Sequence, residues 1–260
     1  MVKKLGALYI AVDPLFVLVV KGLTAIYQGI WLGVLNRSAL QEIASTYYAH
    51  KEAYQSDSYN MRGLWDWEAN AIDQYFVGCQ SVLLGAAGGG REIVGLARRG
   101  LKVAAFECQP SLVAYSQQLL QSQAIQAQVM LAQPDQVPES SAIYDGLILG
   151  WGAYIHITGR DNRIQFLTQF RQHVKTGGPL LLSFWVRPRD GKQMRWTFKV
   201  ARFLRRIRGS KEPIEMGDTL NGTFDHYSTE DEIRAELAAA GFELVFFADS
   251  PYGHAVGRAI

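Results

Sequence analysis

The feature that most constrains this chain is a regular alternation, from residue 79 onward, of short apolar runs with segments of helical length. Strands that alternate with helices form βαβ units, and such units build a parallel sheet. The predicted strands are SVLLG (81–85), KVAAFE (102–107), AQVML (127–131), YDGLILG (144–150) and PLLLSFW (179–185).

The C-terminal end of the chain predicts a different arrangement. FELVFFA (242–248) and HAVGRAI (254–260) are two further strand-like runs, joined only by DSPYG. So short a link forces the two strands to run antiparallel. The predicted fold is therefore α/β and Rossmann-like, with a mostly parallel sheet that ends in a C-terminal antiparallel hairpin.

Residues 1–78 show no convincing alternating strand and are predicted to form a helical N-terminal cap. The apolar segment 14–35 is predicted to be a helix that begins near Pro14, since proline suits a first turn. A helix apolar nearly all round must be buried in the fold, in a homodimer, or partly in a membrane surface. Asp13, Pro14 and Lys21 interrupt the apolar stretch of residues 1–35, which argues against a signal peptide. The longest uncharged run is also shorter than the roughly 20 residues that a spanning helix needs.

Composition excludes several classes of function. The chain has 26 basic and 24 acidic residues, so no overall field favours a nucleic-acid partner. Its two cysteines, Cys79 and Cys108, have neither metal-ligand spacing nor a framework of pairs. We expect a cytoplasmic protein that binds no metal and no nucleic acid, with peripheral membrane contact as an open alternative.

The turn after the first predicted strand has the features of a ligand site. Gly88, Gly89 and Gly90 allow a tight turn and close approach of a ligand, and the helix that follows presents free N–H groups suited to an anion. Glu107 ends the next strand, beside this loop, where its carboxylate can accept both hydroxyls of a ribose. Dinucleotides and S-adenosylmethionine both fit, but the G-x-G-x-x-G spacing of dinucleotide loops is absent.

The segment SVLLGAAGGGREIVGLARRGLKVAAFECQPSLV (81–113) resembles the nucleotide loop of class I S-adenosylmethionine-dependent methyltransferases, and the weaker resemblance covers about 80–260. It implies a seven-stranded sheet, parallel except for one strand of the C-terminal hairpin, with S-adenosylmethionine as cofactor. It also implies that a helical N-terminal piece closes over the cofactor, with Tyr59 or Trp65 as candidates for this lid.

The resemblance carries cofactor roles onto particular positions. Glu107 takes the ribose position, Cys108 lies near the adenine, and Gln133 or its neighbour Asp135 contacts the adenine amine. Leu84 stands where the family often has an acid, so another residue must hold the ligand's amino group. Ala86 replaces a glycine, which costs little if its φ is negative. The loop and fourth-strand positions implied are Ala86, Ala87, Gly88, Gly89, Gly90, Gly150, Trp151 and Gly152.

Methyl transfer to oxygen requires removal of a proton, and histidine has a suitable pKa. His156 follows the fourth strand, and His226 follows an insertion, about 187–225, of a kind that often roofs an active site. Tyr154 and Trp151 are expected to shape the acceptor site. Within the insertion, 194–211 is predicted to be a basic amphipathic helix suited to an anionic surface or an acidic substrate.

We therefore predict a methyltransferase that acts on a small molecule, with oxygen favoured as the acceptor atom because histidine bases are available. A non-catalytic nucleotide-binding module that kept the fold is one alternative, favoured only by Leu84 and Ala86. A nucleotide-dependent oxidoreductase is another, which the glycine spacing and the hairpin oppose.

Overall fold

A computed structural model describes the backbone of residues 2–260 and the side chains of residues 5, 6 and 9–260. Short 3-10 turns occur at Glu52–Gln55 and Ala153–His156. The helices are α1 (Val2–Val34), α2 (Arg37–Ala49), α3 (Asp57–Asn60), α4 (Asp66–Tyr75), α5 (Arg91–Ala97), α6 (Pro110–Ser122), α7 (Arg160–Arg171), α8 (Lys192–Ile207) and α9 (Glu230–Ala239).

The strands form one mixed sheet whose main part has the order β3-β2-β1-β4-β5-β9-β8. Strand β9 runs antiparallel to both of its neighbours, and the pairs from β3 to β5 are parallel. The predicted seven-stranded sheet with a C-terminal antiparallel hairpin is confirmed. The strands are β1 (Ser81–Gly85), β2 (Lys102–Glu107), β3 (Gln128–Leu131), β4 (Gly146–Leu149), β5 (Pro179–Val186), β6 (Asp218–Asn221), β7 (Thr223–Ser228), β8 (Phe242–Ala248) and β9 (Gly253–Ala259).

Helices cover both faces of this sheet, as the apolar strands require. Phe170 of α7 and Leu237 of α9 belong to the core on one face. Ile72 of α4 and Ile93 of α5 belong to the core on the other. The strand register matters for function, because Gly85 pairs with both Phe106 and Leu149. The loops that follow β1, β2 and β4 therefore leave the sheet side by side.

The β6–β7 hairpin was not predicted. It lies at the end of the predicted insertion, and Tyr227 and Ser228 of β7 pair in parallel with Trp185 and Val186 at the end of β5. Its sequence, DTLNGTFDHYS, is short and largely polar, so it has no strong hydrophobic strand pattern.

Helix α1 also differs from its prediction, because it runs through Pro14 from Val2 rather than beginning near Pro14. Proline fixes a helical φ and removes one backbone donor, at a cost of about 3 kcal/mol inside a helix. Burial within the fold is wrong for much of α1, since residues 14–23 are all exposed.

Candidate functional site

The candidate site is a crevice at the carboxyl ends of β1, β2 and β4, bounded on one side by α2 of the N-terminal segment. Ligands bind at this edge of open α/β sheets, where loops diverge and helix N-termini point outward. The crevice has a volume of about 210 Å³. Much of its wall is apolar and includes Leu40, Phe106, Leu112 and Phe166.

Glycine is required in the loop after β1 for two separate structural reasons. Gly88 and Gly90 have φ values of 54° and 102°, in the left-handed region that glycine adopts without steric cost. Gly89 is required by packing, because a Cβ there would lie 2.0 Å from the carbonyl oxygen of Tyr54. A Cβ on Gly88, which lines the crevice, would meet no atom within 4 Å. The N-terminal segment therefore rests on the glycine loop, beside an opening at Gly88.

Ala86 begins this loop with φ of 56°, also in the left-handed region. The condition under which alanine would cost little, a negative φ, is therefore not met. An L-residue in this region is destabilised by roughly 1–2 kcal/mol. The carbonyl oxygen of Ala86 also lies only 2.3 Å from where a Cβ on Gly150 would be, so the loop packs tightly against the turn after β4.

Glu107 is held by three backbone N–H groups. Its Oε2 accepts from Gly88 at 2.8 Å, and its Oε1 accepts from Cys108 and Gln109, each at 2.8 Å. The residue is 5% exposed and lines the crevice. A carboxylate offers about four acceptor positions. Three are occupied, so Glu107 both fixes the glycine loop and keeps about one position for a ligand hydroxyl, where two hydroxyls were expected.

A buried acidic cluster lies beside the loop. Arg91 donates to both oxygens of Glu68 and to Oε1 of Glu92, each at 2.7 Å. The ring of Trp65 covers the Arg91 guanidinium, with 4.9 Å from Cζ to the ring centroid. Oε1 of Glu92 also accepts from the backbone N–H of Trp151 at 3.1 Å. One guanidinium faces two carboxylates, so the cluster has one acidic group in excess, and Glu92 brings it to the crevice wall.

Asn60 adds an unpaired acceptor at the same end of the crevice. Its Nδ2 donates to the carbonyl oxygens of Tyr54 and Ser56, each at 2.9 Å. Its Oδ1 is buried and has no hydrogen-bond partner among the residues that the structure describes. An unsatisfied buried acceptor is costly. Oδ1 of Asn60 and the Glu92 carboxylate are thus two acceptors among the residues that line the crevice, whereas Leu84 offers none.

Tyr48 and His156 form a hydrogen-bonded pair. Nδ1 of His156 lies 2.8 Å from the carbonyl oxygen of Phe224, which can only accept, so Nδ1 carries the proton. Nε2 is then the acceptor, and the Tyr48 hydroxyl donates to it at 2.6 Å. Both side chains line the crevice. The pair joins the N-terminal segment to the turn after β4.

Burial sets the protonation states of this pair. Desolvation lowers the pKa of His156 below its ordinary value and raises the pKa of Tyr48. The imidazole is therefore neutral at pH 7 and the phenol keeps its proton. Oδ1 of Asp225 lies 3.5 Å from His156 Nδ1, and burial raises the pKa of Asp225 to about 6. Above that pH its carboxylate can balance a proton gained by the imidazole.

Helix α2 also contacts the residues predicted to hold adenine. Oδ2 of Asp135 accepts from Arg37 and Gln41, each at 2.9 Å, so this oxygen is already engaged. Gln133 and Cys108 line the crevice near it, as do Ala87 and Trp151. The structure thus brings most of the predicted cofactor residues to one crevice, with α2 over the predicted adenine end.

Gly90 and Gly150 were predicted as cofactor contacts, but neither lines the crevice. Gly90 is the N-cap of α5, and a Cβ there would lie 3.5 Å from Ser116. Gly150 donates its backbone N–H to the carbonyl oxygen of Gly85 at 2.8 Å. Both glycines shape turns around the site.

Tyr154 and His226 were predicted to act on the acceptor, and the structure instead buries both outside the crevice lining. The Tyr154 hydroxyl donates to Glu236. His226 is 2% exposed, and its Nδ1 lies 2.7 Å from Asp218. With Glu215 these two could form a cation site by distance. Glu215 already pairs with Arg163 at 2.8 Å, so its carboxylate is engaged in a buried ion pair. Nε2 of His226 has no hydrogen-bond partner among the residues that the structure describes.

Three residues of the crevice, Tyr48, Asn60 and Glu92, were not predicted as site residues. Glu92 had a usable signal, since it lies in the first helical turn after the glycines of a chain that lacks the acid at position 84. Tyr48 and Asn60 had none, because their place in the crevice depends on how the N-terminal helices dock. Of the two lid candidates, Tyr59 lines the crevice, whereas Trp65 is not among the lining residues.

Neither a family model nor a curated protein sequence matches this chain. Solved structures do. A sugar N-methyltransferase from Streptoalloteichus sp. ATCC 53650 is 15% identical, with 79% of this chain and 90% of that one covered and a TM-score of 0.58. An S-adenosylmethionine-bound amino pentose methyltransferase from Micromonospora echinaspora is 16% identical, with 78% and 95% covered and a TM-score of 0.57.

A third structure, 1,6-didemethyltoxoflavin-N1-methyltransferase from Burkholderia thailandensis, contains its acceptor and S-adenosylhomocysteine. It is 19% identical, with 85% of this chain and 86% of that one covered and a TM-score of 0.57. At such identities the likeness establishes the fold. The chain has the fold of class I S-adenosylmethionine-dependent methyltransferases, which confirms the predicted fold.

Proposed function

We propose that this protein is an S-adenosylmethionine-dependent methyltransferase that acts on a small molecule. The observation that carries the proposal is that two unlike groups of side chains line one crevice. The first group has a hydroxyl acceptor in Glu107 and further acceptors in Glu92 and Asn60. The second group is a proton-accepting pair, Tyr48 and His156.

The first group of residues, with Glu107, Glu92 and Asn60, fits S-adenosylmethionine. Glu107 has an acceptor position left for a ribose hydroxyl, and Gln133 and Cys108 flank the adenine end. Glu92 and the unpaired Oδ1 of Asn60 suit the α-ammonium group, and the excess acidic group of the cluster favours a cationic ligand. The bound cofactor supplies an activated methyl group.

The second group, Tyr48 and His156, can remove a proton from the acceptor. The Tyr48 hydroxyl can take a proton from an acceptor hydroxyl while it passes its own to Nε2 of His156, which is neutral at pH 7. Asp225 then faces the imidazolium. A neutral amine needs no such base before transfer, so this relay favours oxygen as the acceptor atom. The small-molecule acceptors named for structural neighbours support a small substrate.

Calorimetric titration with S-adenosylhomocysteine and NAD tests the binding part of the proposal. We expect binding of S-adenosylhomocysteine and none of NAD, and the reverse order would refute it. Incubation with methyl-labelled S-adenosylmethionine and fractionated metabolite extracts tests turnover. Cofactor binding without label transfer to any fraction would favour the non-catalytic module instead.

Tyr48→Phe tests the relay, and Tyr47→Phe is its matched control because the Tyr47 hydroxyl bonds Lys51 outside the crevice. We expect Tyr48→Phe to lower turnover roughly 10²-fold or more, within the range for general acid–base groups, with unchanged affinity for S-adenosylhomocysteine. Tyr47→Phe should retain full turnover. Equal turnover of the two variants would remove the relay from the mechanism.

A further inference from the structure

Helix α1 presents an apolar surface that no described part of the chain covers. Residues 15–20 are six consecutive exposed apolar residues, among them Phe16 and Leu18 at 63% and 64% exposure. Six residues exceed one helical turn of 3.6, so this stretch is apolar and open all round. The helix is long and apolar enough to cross a membrane over Tyr9–Val34, with a mean hydropathy of 1.8.

The C-terminal third of α1 is fixed to the body through α8. Gly29 and Gly33 let the helices approach closely, since a Cβ on Gly29 would lie 2.6 Å from Val200 Cβ and one on Gly33 would lie 2.7 Å from Leu204 Cβ. Arg205 lies in the segment predicted to be a basic amphipathic helix, but it is buried and donates to the carbonyl oxygen of Leu32 at 2.9 Å. The exposed part of α1 is therefore held in a set direction.

The exposed side of α8 carries two parallel stripes, which follow from a rotation of about 100° per residue. One stripe is basic and the other apolar, and the apolar stripe lies between the basic one and the side that packs on α1. The basic stripe is Arg195, Lys199, Arg202 and Arg206, and the apolar stripe is Trp196, Phe203 and Ile207.

The four cations of the basic stripe are exposed, and none forms an ion pair with another described residue. Helix α1, which packs beside α8, also exposes Ile26 and Ile30, and farther round it exposes Tyr27 and Trp31, which pack edge to face. Exposed aromatic residues of this kind are typical of membrane interfaces, where one end of the ring is apolar and the other is hydrated. The result is one apolar surface with a cationic border.

We propose that this surface, the exposed part of α1 with the two stripes of α8, binds a bilayer that contains anionic lipids. Helix α1 inserts among the acyl chains, and the basic stripe lies at the headgroups. A bilayer surrounds an all-round apolar helix, whereas a second copy would cover one side of it. A two-fold dimer through the same surface would also bring eight unpaired cations into one interface.

Vesicle flotation of the full chain tests this proposal, with phosphatidylcholine vesicles that contain or lack phosphatidylserine. Each basic residue near an anionic surface contributes about 1 kcal/mol, or roughly fivefold in binding. Arg195→Gln with Arg202→Gln should therefore weaken binding to phosphatidylserine vesicles roughly 25-fold at low salt. Arg62→Gln with Lys102→Gln changes the charge equally on exposed residues outside α8 and should have no such effect.

Leu15→Asp with Leu18→Asp tests the insertion of α1, and both side chains are exposed, so the fold should persist. We expect this variant to remain with the soluble fraction for both vesicle compositions. Sedimentation velocity without lipid gives the state of the free protein. A wild-type chain that sediments as a compact dimer and does not float would overturn the proposal in favour of a second copy. So would equal phosphatidylserine dependence of the two charge variants.

Discussion

Glu107→Gln isolates what the carboxylate after β2 contributes, because glutamine keeps its length and shape but only one acceptor oxygen. In the preferred orientation the amide oxygen keeps the N–H groups of Cys108 and Gln109, and the amide nitrogen faces that of Gly88. One charge-assisted hydrogen bond is lost. Such bonds contribute about 1.5–3 kcal/mol, so we expect the free energy of unfolding of the cofactor-free protein to fall by that amount.

Calorimetry can measure this decrease in the free energy of unfolding as a decrease in Tm. Unfolding entropies near 2.1 cal/mol/K per residue imply a decrease in Tm of roughly 3–6 °C for a chain of this length. Affinity for S-adenosylhomocysteine should fall about tenfold in addition, equivalent to about 1.4 kcal/mol, if a ribose hydroxyl uses the remaining acceptor position. Glu139→Gln is the matched control, an exposed residue in the loop after β3.

The two measurements separate the two roles of Glu107. An unchanged Tm would show that the carboxylate does not hold the glycine loop. A lowered Tm with unchanged affinity would keep that structural role and place the ribose elsewhere. If neither Tm nor affinity differs from the Glu139→Gln control, Glu107 neither holds the glycine loop nor binds a ribose hydroxyl.

Three further predictions concern the same crevice. Ala86→Gly removes left-handed strain of roughly 1–2 kcal/mol from the folded state, but it also raises the entropy of the unfolded chain, so Tm should rise by only about 1–2 °C. A decrease in Tm would contradict the φ of 56° at Ala86. Gly89→Ala should speed amide exchange across 54–60 and Gly88→Ala should not, since only the first displaces Tyr54; equal rates would deny that contact. Burial lowers the pKa of His156 below 6.5, and only the neutral imidazole can accept a proton. Turnover should therefore stay constant above pH 6.5 and decline only below it. A pH–turnover profile with its midpoint above 6.5 would exclude His156 as the base.

The parallel sheet could be predicted because each of its strands is a local apolar run whose links to its neighbours limit the topology. Glu107 could be placed beside the glycine loop for the same reason, since adjacent parallel strands end at one edge. The β6–β7 hairpin could not. Its polar strands are held by pairing with the end of β5, and this pairing is not encoded in the local pattern.

The two candidate histidines show the same limit. His156 and His226 both lie in segments expected near the acceptor, yet one faces the crevice and the other pairs with Asp218 in the interior. The hairpin that was missed determines this difference, because β6 supplies Asp218 and β7 supplies His226. The partner of His156, Tyr48, comes from a helix whose docking the sequence alone does not specify.

Helix α2 is fixed to the crevice at two points, through Arg37 at Asp135 and through Tyr48 at His156. Any swing of this helix that widens the mouth also pulls the phenol away from the imidazole. If the protein is the methyltransferase proposed above, exchange of S-adenosylhomocysteine for S-adenosylmethionine would take place only while this hydrogen bond is broken. Methyl transfer and cofactor exchange would thus occur at different times. The rate at which α2 moves would then set an upper limit on turnover.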